Sequence, residues 1–589
     1  MPLNYILSLI LICLYSSIGT SQEKERPNVV LIITDDQGFG DIGIHGNPHI
    51  KTSTLDALAL ESTQLTNFYV SPVCAPTRSS LMTGRYSLRT GVRDTYNGGA
   101  IMATSEVTIA EMLKEVNYAT GIFGKWHLGD NYPFRPSDQG FDESVIHLSG
   151  GMGQVGDVTT YFKGDRSYFD PVLWHNNKQE TYKGYCSDIF TDNALRFIEK
   201  NKNEPFFCYL SFNAPHTPLQ VPEKYFEMYK NIDPSMGFEN YNGRKPEMTE
   251  KDKEDARKVY AMVSNIDDNI ERVLRKLEEL EISQNTVVIF MTDNGPQQRR
   301  YLGGMRGRKG SVYQGGVRVP FYLKYPSVFK GKNKISLPTA HIDVLPTLAD
   351  LCGATPPEDR KIDGSSMIPL FEGKTSNFLE RDLFFYWTRK YPELNFNMAF
   401  QKGNYKLVGM TDSNASIDKF ELFNLKEDPF EEKNLILENK ELANSLKSAM
   451  TKTYIELITS KNIVNPPLIN VGDPLENPVI LNRNDAGGDR GIWDQEEIFG
   501  KWAVKIETGT YQIKYKFIKP VEGGGKVVLE TGGKIHQQVV NEKQTDMIIL
   551  DNVQLEEMEV DLIPFYSINN KRIFPFWVSI EKKDETSKN

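Results

Sequence analysis

Residues 28–36 read NVVLIITDD, an uninterrupted apolar run that ends in two adjacent carboxylates. Its β-branched side chains are typical of a strand that is buried on both faces of a parallel sheet. A second run, TVVIFMT at Thr286–Thr292, ends in the same manner, in an acid and an amide. We expect both strands to present these polar residues at one edge of the sheet: Asp35, Asp36, Asp293 and Asn294.

Segments with helical periodicity alternate with further strand candidates around these two runs. Apolar side chains from Ile266 to Leu280 recur at helical spacing and lead directly into the second run. This order predicts an α/β fold in which a mostly parallel sheet lies between helices. Other candidate strands are Tyr118–Phe123 and Phe206–Phe212, and other candidate helices are Glu106–Val116 and Asp188–Glu199.

The sequence pattern changes near residue 375. Short alternating strands such as Leu383–Trp387 and Tyr405–Val408, with a helix near Glu441–Leu457, predict a smaller antiparallel α+β subdomain. From Trp502 onward, alternating segments separated by turn residues predict an appended all-β sandwich. The sandwich is either a carbohydrate-binding module or a structural unit that packs on the core. The predicted domains are 23–375 (catalytic), 376–464 (subdomain) and 465–589 (sandwich).

Composition and charge exclude several classes of protein. The chain has 589 residues, of which 39% are hydrophobic and 25% are charged, as expected for a globular protein of several domains. A net charge of -10 argues against a nucleic-acid binder, which would concentrate Lys and Arg. The cysteines beyond the N-terminal leader are too sparse for a disulfide framework: Cys74, Cys186, Cys208 and Cys352.

The N-terminus carries a short apolar run, Tyr5–Tyr15, followed by small residues. This pattern predicts a signal peptide at residues 1–22, and therefore export to the periplasm or the medium. The run is too short to span a bilayer, and no later segment approaches the roughly 20 apolar residues that a transmembrane helix needs. We therefore predict no transmembrane segment.

The four polar residues at the ends of the two strands predict a metal site. The carboxyl edge of an open α/β sheet is where ligands bind, and oxygen donors suit a hard cation such as calcium. Three acids in one place would repel each other without a cation. Either pair alone could instead start a turn, since Asp and Asn commonly do so.

The segment CAPTRSSLMTGR, residues 74–85, predicts an anion-binding helix start. Pro76 suits the first turn of a helix, where unpaired backbone N–H groups favour an anion. Arg78, one turn on, adds a positive charge. A buried structural cysteine is the alternative interpretation of Cys74.

The CxPxR pattern of Cys74, Pro76 and Arg78, continued by TGR, resembles the signature of type I sulfatases of the alkaline phosphatase superfamily. Other motifs follow in the order of that family: GKWHLG, APHTPLQVP and RGRKGSVYQGGVRVP. The resemblance spans about residues 25–460, and the chain is similar to bacterial polysaccharide sulfatases. The residues that these three motifs contribute are Lys125 and His127, His216, and Lys309.

The resemblance implies that Cys74 is oxidised to formylglycine (3-oxoalanine) by a formylglycine-generating or sulfatase-maturing enzyme. The hydrate of this aldehyde supplies the nucleophile, and its second hydroxyl can expel sulfate, whereas an ordinary Ser would leave a stable sulfate ester. One calcium ion is expected, and the implied ligands are Asp35, Asp36, Asp293, Asn294 and the modified Cys74.

The resemblance also implies catalytic roles for the cationic residues. Arg78 and Lys125 would support the diol and the sulfate, and His127 would act as the base that promotes sulfate release. His216 and Lys309 would contact the sulfate and the departing oxygen, with His216 as the general acid.

The leading hypothesis is hydrolysis of sulfate esters on a carbohydrate, either a polysaccharide or its oligosaccharides, including marine algal polymers such as ulvan. One alternative is a phosphonate or phosphate monoester hydrolase of the same superfamily. Another is a catalytically silent carbohydrate-binding protein in which Cys74 is never oxidised. Loop residues that are candidates for the substrate pocket are Tyr96, Asn97, His175, Arg299 and Arg300.

Overall fold

The computed structural model describes residues 26–329, 331–374, 378, 381–389 and 391–583. The predicted signal peptide at 1–22 and the predicted boundary between residues 375 and 376 lie outside these ranges. None of the helices within them combines the length and apolar character that crossing a bilayer requires.

The strand Asn28–Thr34 lies at the centre of the fold and is buried at every position. Its odd-numbered residues, such as Leu31, pack in one hydrophobic cluster, and its even-numbered residues, such as Ile32, pack in another. Both faces of the strand are therefore shielded from water, which explains why the run is apolar without interruption. Its neighbours, Thr286–Thr292 and Phe206–Ser211, both run parallel to it.

The main sheet has ten strands. The five central strands are parallel, as predicted, and antiparallel strands extend the sheet on both sides. In spatial order the strands are Lys334–Ile335, Thr63–Leu65, Phe321–Lys324, Thr286–Thr292, Asn28–Thr34, Phe206–Ser211, Ala119–Lys125, Glu143–His147, Val172–His175 and Lys178–Thr181. A small second sheet consists of Arg318–Val319, Phe68–Tyr69 and Thr339–Ala340.

Helices cover both faces of the main sheet, which confirms the predicted α/β class. One face packs against Ser53–Glu61, Cys186–Lys200 and Glu250–Glu279. The other face packs against Cys74–Thr83, Ile109–Lys114 and Val344–Cys352. Further short helices are Glu223–Phe226, Gln314–Val317 and Ile368–Phe371.

The smaller subdomain is a four-stranded antiparallel sheet, as predicted. One face packs against the helix Lys440–Ile458, and the other packs against the catalytic core through residues such as Tyr69 and Ile342. The strands are Asp382–Tyr386, Phe396–Lys402, Tyr405–Met410 and Glu421–Asn424, and a short helix, Lys461–Val464, follows.

The C-terminal region is a sandwich of two β-sheets around one apolar cluster, which confirms the all-β prediction. Ile101 and Phe134 of the catalytic region belong to the same cluster, so the sandwich packs directly on the core. One sheet contains Ile469–Val471, Gly487–Gly488, Gly500–Ile506, Lys526–Thr531, Lys534–Val539, Met558–Ile568 and Lys571–Ile573. The other contains Val479–Asn482, Gly509–Glu522, Gln544–Leu555 and Trp577–Lys582.

Candidate functional site

Two parallel strands bring the predicted acidic residues together at the carboxyl edge of the main sheet. The backbone N–H of Asp36 donates to Asp293 Oδ1 at 3.1 Å, and Asn294 Nδ2 donates to Asp36 Oδ1 at 2.7 Å. Asp36 has a positive φ of 64°, a conformation that non-glycine residues seldom adopt outside functional sites and turns. The strand ends therefore converge as the sequence predicts.

Cys74 is the first residue of the helix Cys74–Thr83, and every residue of this helix is buried. Its Sγ and one carboxylate oxygen each of Asp35 and Asp293 all lie within 4.8 Å of one another. Burial raises the pKa of the Cys74 thiol, so the side chain is a neutral thiol at physiological pH. A neutral thiol is a poor nucleophile, because the thiolate is the reactive form of cysteine.

Three cations neutralise the three carboxylates, one to each. Arg78 Nη2 donates to Asp293 Oδ2 at 2.8 Å, Lys125 Nζ donates to Asp35 Oδ2 at 2.5 Å, and Lys309 Nζ lies 2.6 Å from Asp36 Oδ1. Arg78 and Lys125 are buried below the cavity, whereas Lys309 lines it. These charge-assisted contacts fix the direction of each cationic group.

Ser211 also orients Arg78. It ends the strand Phe206–Ser211, and its hydroxyl accepts from Arg78 Nη1 at 2.6 Å. The same hydroxyl donates to the backbone carbonyl of Lys125 at 2.8 Å. Nothing in the local sequence distinguished this serine, because its importance depends on strands that are distant in the chain.

The donor set fits a hard cation. Within the acidic cluster, three buried oxygens find no hydrogen-bond partner among the described residues: Asp35 Oδ1, Asp36 Oδ2 and Asn294 Oδ1. Buried polar atoms are normally paired, so three unpaired oxygens in one place are suited to coordinate a cation. Burial and the charge of Asp35 raise the pKa of Asp293 to about 7, because the carboxylates lie close together. Oxygen donors at this density suit calcium.

His127 is held as a neutral imidazole with one free nitrogen. Its Nε2–H donates to the carbonyl of Thr95 at 2.7 Å, whereas its buried Nδ1 has no partner among the described residues. Burial and the charge of Lys125 lower the pKa of His127 well below its usual value. Its Nδ1 lone pair is therefore available to accept a proton.

His216 presents its other nitrogen to the acidic cluster. Its Nδ1–H donates to the carbonyl of Thr217 at 2.7 Å, and its Nε2 lies 3.7 Å from Asp36 Oδ2. Burial lowers the pKa of His216, and the negative charge of Asp35 opposes that effect. Protonation of Nε2 therefore depends on the negative charge that is present in the cavity.

A cavity of about 400 Å³ opens above these groups. Cys74, His127, His216 and Lys309 line its chemically active side. Part of the remaining wall is formed by one loop candidate, Tyr96, and by four residues that the motifs did not predict: Gln154, Trp387, Arg389 and Trp493. The structure thus joins all the predicted site residues into one centre beneath and around a single cavity.

The other loop candidates lie elsewhere. Asn97 lines a neighbouring cavity. Arg300 is buried, pairs with Asp41, and donates to the backbone carbonyl of Asp36 at 2.8 Å, so it supports the acidic loop. His175 contacts Glu180 on an edge hairpin, and Arg299 is exposed to solvent.

Comparisons with known proteins identify a protein family for this chain. The sulfatase family model matches residues 27–354, and a model described as N-sulphoglucosamine sulphohydrolase, C-terminal, matches residues 308–458. Arylsulfatase J of Mus musculus is 33% identical over 360 residues, which cover 59% of this chain and 55% of that protein. N-acetylgalactosamine-6-sulfatase of Homo sapiens is 30% identical over 397 residues, which cover 62% of this chain and 70% of that protein.

A solved structure has the same fold over most of the chain. The crystal structure of Ps i-CgsB in complex with k-i-k-neocarrahexaose superposes with a TM-score of 0.64 and 29% identity, covering 75% of this chain and 94% of that one. The family match contains every residue of the centre described above and extends over more than half of the chain. The chain therefore belongs to the sulfatase family and is a sulfuric ester hydrolase.

Proposed function

We propose that this sulfatase removes sulfate from sulfated carbohydrates, using a formylglycine at position 74 and one bound calcium ion. The observation that carries the proposal is the arrangement around Cys74: three orphaned acidic or amide oxygens and three fixed cations beneath one cavity. Such a centre is suited to a tetrahedral anion held next to a nucleophile.

The calcium ligands are proposed to be Asp35, Asp36, Asp293, Asn294 and the modified residue 74. The unpaired oxygens of Asp35, Asp36 and Asn294 support this assignment. When bound, the ion supplies positive charge that lowers the cost of negative charge developing on the transferring group. The other oxygens of Asp35 and Asp36 are paired with Lys125 and Lys309, and the Asn294 amide donates to Asp36, so these side chains are held before an ion arrives.

Residue 74 is proposed to be the nucleophile after modification. The neutral, buried thiol of unmodified Cys74 is unsuited to that role. A formylglycine hydrate at this position supplies a hydroxyl nucleophile and a second hydroxyl for releasing sulfate. The modification requires a formylglycine-generating or sulfatase-maturing enzyme as a partner.

The remaining residues bind the anion and move protons. Arg78 and Lys125 provide preorganised positive charge, because their partners Asp293 and Asp35 fix them before substrate binds. His127 accepts a proton at its free Nδ1 during sulfate release.

His216 and Lys309 line the cavity on the side of Asp36 and are proposed to contact the departing oxygen. His216 must carry a proton on Nε2 to act as the general acid. A bound sulfate group adds negative charge beside the imidazole, which raises its pKa in the complex and favours that protonated form.

A carbohydrate substrate is supported by the wall of the cavity, where Tyr96, Trp387 and Trp493 offer aromatic faces. Similar proteins include an N-acetylgalactosamine-6-sulfatase and a structure in complex with k-i-k-neocarrahexaose. We propose that the substrate is a sulfated polysaccharide or its oligosaccharides, with marine algal polymers such as ulvan among the candidates. The proposed signal peptide would deliver the enzyme to the periplasm or the medium, where such polymers occur.

Parallel assays test the proposed function. Enzyme made in a host with the maturation machinery should release p-nitrophenol from p-nitrophenyl sulfate much faster than from p-nitrophenyl phosphate. It should also release sulfate from at least one member of a panel of defined sulfated oligosaccharides, with the product mapped by NMR. A faster phosphate reaction would instead favour the phosphonate or phosphate monoester hydrolase alternative.

A further inference from the structure

The cavity above Cys74 continues into a second cavity of about 460 Å³. Tyr96, Gly310, Trp387 and Arg389 line both cavities, so together they form one groove that leads away from the nucleophile. We call this the extended groove. It is larger than a single sulfate ester needs, and its far part adds Arg490 of the sandwich.

The sandwich reaches this groove through residues 482–495, called here the sandwich loop. Trp493 lines the cavity of Cys74, and Arg490 lines the second cavity. The region matched by the sulfatase family models ends at residue 458, so this loop is an addition particular to the appended domain. A spacer that only packed on the core would not need to contribute a side chain to the cavity that contains Cys74.

The sandwich loop is fixed to the catalytic region by direct hydrogen bonds. Asn482 Nδ2 donates to Asp130 Oδ2 at 2.7 Å, and the Gly150 N–H donates to Asn484 Oδ1 at 3.2 Å. The buried guanidinium of Arg483 holds the loop together by donating to the carbonyl of Gln495 at 2.7 Å. The loop is therefore a preorganised wall of the groove.

The wall combines aromatic faces with a guanidinium group. The rings of Tyr96 and Trp493 have centroids 5.1 Å apart, and Arg389 lies 4.5 Å from the centroid of the Tyr96 ring. Asp94 and Thr95 hold Arg389 through contacts of 3.0 and 2.8 Å. Aromatic faces pack against the apolar C–H face of a sugar ring, and a guanidinium pairs with sulfate or carboxylate.

The two arginines of the groove suit an anionic sugar, the kind of ligand that the wall also favours. Arg389 is partly exposed and Arg490 is exposed, and both line the second cavity of a protein whose net charge is -10. Asp94 pairs with Arg389 and Glu393 lies on the same lining, so the two arginines act as local guanidinium donors for an anionic group rather than as an excess of positive charge.

We propose that the sandwich loop, with Trp387 and Arg389, forms a subsite for the sugar next to the one that carries the scissile sulfate. The ligand class is an anionic oligosaccharide whose neighbouring sugar stacks on Trp493 and carries its own sulfate or carboxylate near Arg389 and Arg490. This inference rests on the proposed carbohydrate function and adds that the preferred substrate has at least two sugars, of which the second is charged.

The test compares substrates of different length in Trp493→Ala and Arg490→Ala. For each variant, kcat/KM is measured with p-nitrophenyl sulfate and with a sulfated oligosaccharide that the wild-type enzyme cleaves. We expect the ratio of oligosaccharide to aryl sulfate activity to fall about tenfold or more, mainly through KM, because the lost contacts bind only the second sugar.

Two comparisons make the test specific. Arg572→Ala removes an exposed arginine from another part of the sandwich, where it contacts Glu530, and should leave both activities unchanged. For an oligosaccharide whose second sugar is neutral, kcat/KM should be the same in Arg490→Ala as in the wild type. Trp493→Ala should still lower kcat/KM for this substrate.

The outcomes separate the subsite from the proposed function. A wild-type enzyme that cleaves p-nitrophenyl sulfate but none of the sulfated oligosaccharides would contradict the carbohydrate function, and the subsite with it. If the wild type cleaves oligosaccharides but both variants keep its substrate ratio within twofold, the subsite alone is wrong. Equal losses on both substrates would likewise overturn it, because they indicate a general disturbance of the cavity.

Discussion

At the scale of single residues, Cys74 has surroundings that suit chemistry better than packing. Its thiol lies with Asp35 and Asp293 in a cluster of charged groups, whereas Cys208 lies in a hydrophobic cluster of the core. Both cysteines are buried, so the comparison isolates the role of the environment.

We predict that Cys74→Ala lowers kcat for p-nitrophenyl sulfate by at least about 10³-fold, because it removes the precursor of the nucleophile. Its melting temperature should stay within roughly 4 °C of the wild type, since only one buried sulfur is lost. Cys208→Ala is the matched control and should keep kcat while losing some stability. Substantial turnover by Cys74→Ala would refute the assignment.

His216 is the second residue with a distinguishable role. If it protonates the departing oxygen, His216→Ala should slow the hydrolysis of alkyl sugar sulfates much more than that of p-nitrophenyl sulfate, whose leaving group needs no proton. The measurement is kcat/KM for both substrates in the variant and in His175→Ala, an edge-strand control whose imidazole contacts Glu180. Equal losses on the two substrates would count against His216 as the acid.

At the scale of elements, a buried ion pair fastens the subdomain sheet to the catalytic region. Lys406 Nζ lies 2.8 Å from Glu431 Oε1, and neither side chain is exposed. Glu431 Oε2 accepts from the backbone N–H of Gln314, at the start of the helix Gln314–Val317. Burial lowers the pKa of Lys406, as expected for an ammonium group that depends on its partner.

We predict that Lys406→Met destabilises the protein by about 3–5 kcal/mol, because Glu431 is left buried without a counter-charge. The double variant Lys406→Met/Glu431→Gln should recover much of this loss, since the neutral amide keeps an acceptor for the Gln314 N–H. Denaturant unfolding of the two variants measures both values. A single variant within about 1 kcal/mol of the wild type would contradict the argument.

The elements also show how far the sequence determines the fold. The strand Asn28–Thr34 was predictable because burial on both faces demands an unbroken apolar run. The helix predicted at Glu106–Val116 is shorter, Ile109–Lys114, because Thr108 and Glu111 form a capping box that starts it later. That signal, a threonine followed three residues later by a glutamate, was present in the sequence.

At the scale of the whole molecule, the catalytic centre was predictable and the substrate wall was not. The acidic residues end strands of recognisable pattern, and the remaining motif residues lie in distinctive segments. Trp387 and Trp493, by contrast, come from the subdomain and the sandwich, and only the packing of these units on the core brings them to the cavity. No local pattern encodes such an assembly, so Tyr96 was the one wall residue among the candidates.

Calcium should stabilise the whole fold, because its proposed ligands belong to the central strands. At a free concentration of about 100 times the dissociation constant, a bound ion adds about 2.7 kcal/mol to the free energy of unfolding. We predict that EGTA lowers the melting temperature and abolishes turnover, and that added calcium restores both. Asp36→Asn should reduce the shift caused by calcium. Identical melting curves with and without calcium would contradict the metal assignment.

The central claim is that residue 74 acts as an oxidised cysteine, and the mass of its peptide tests this most directly. The peptide should be isolated from active enzyme made in cells that contain the maturation machinery. We predict a mass about 18 Da below that of the unmodified cysteine peptide, in a fraction that rises with specific activity. Fully active enzyme whose peptide carries only unmodified Cys74 would contradict the account.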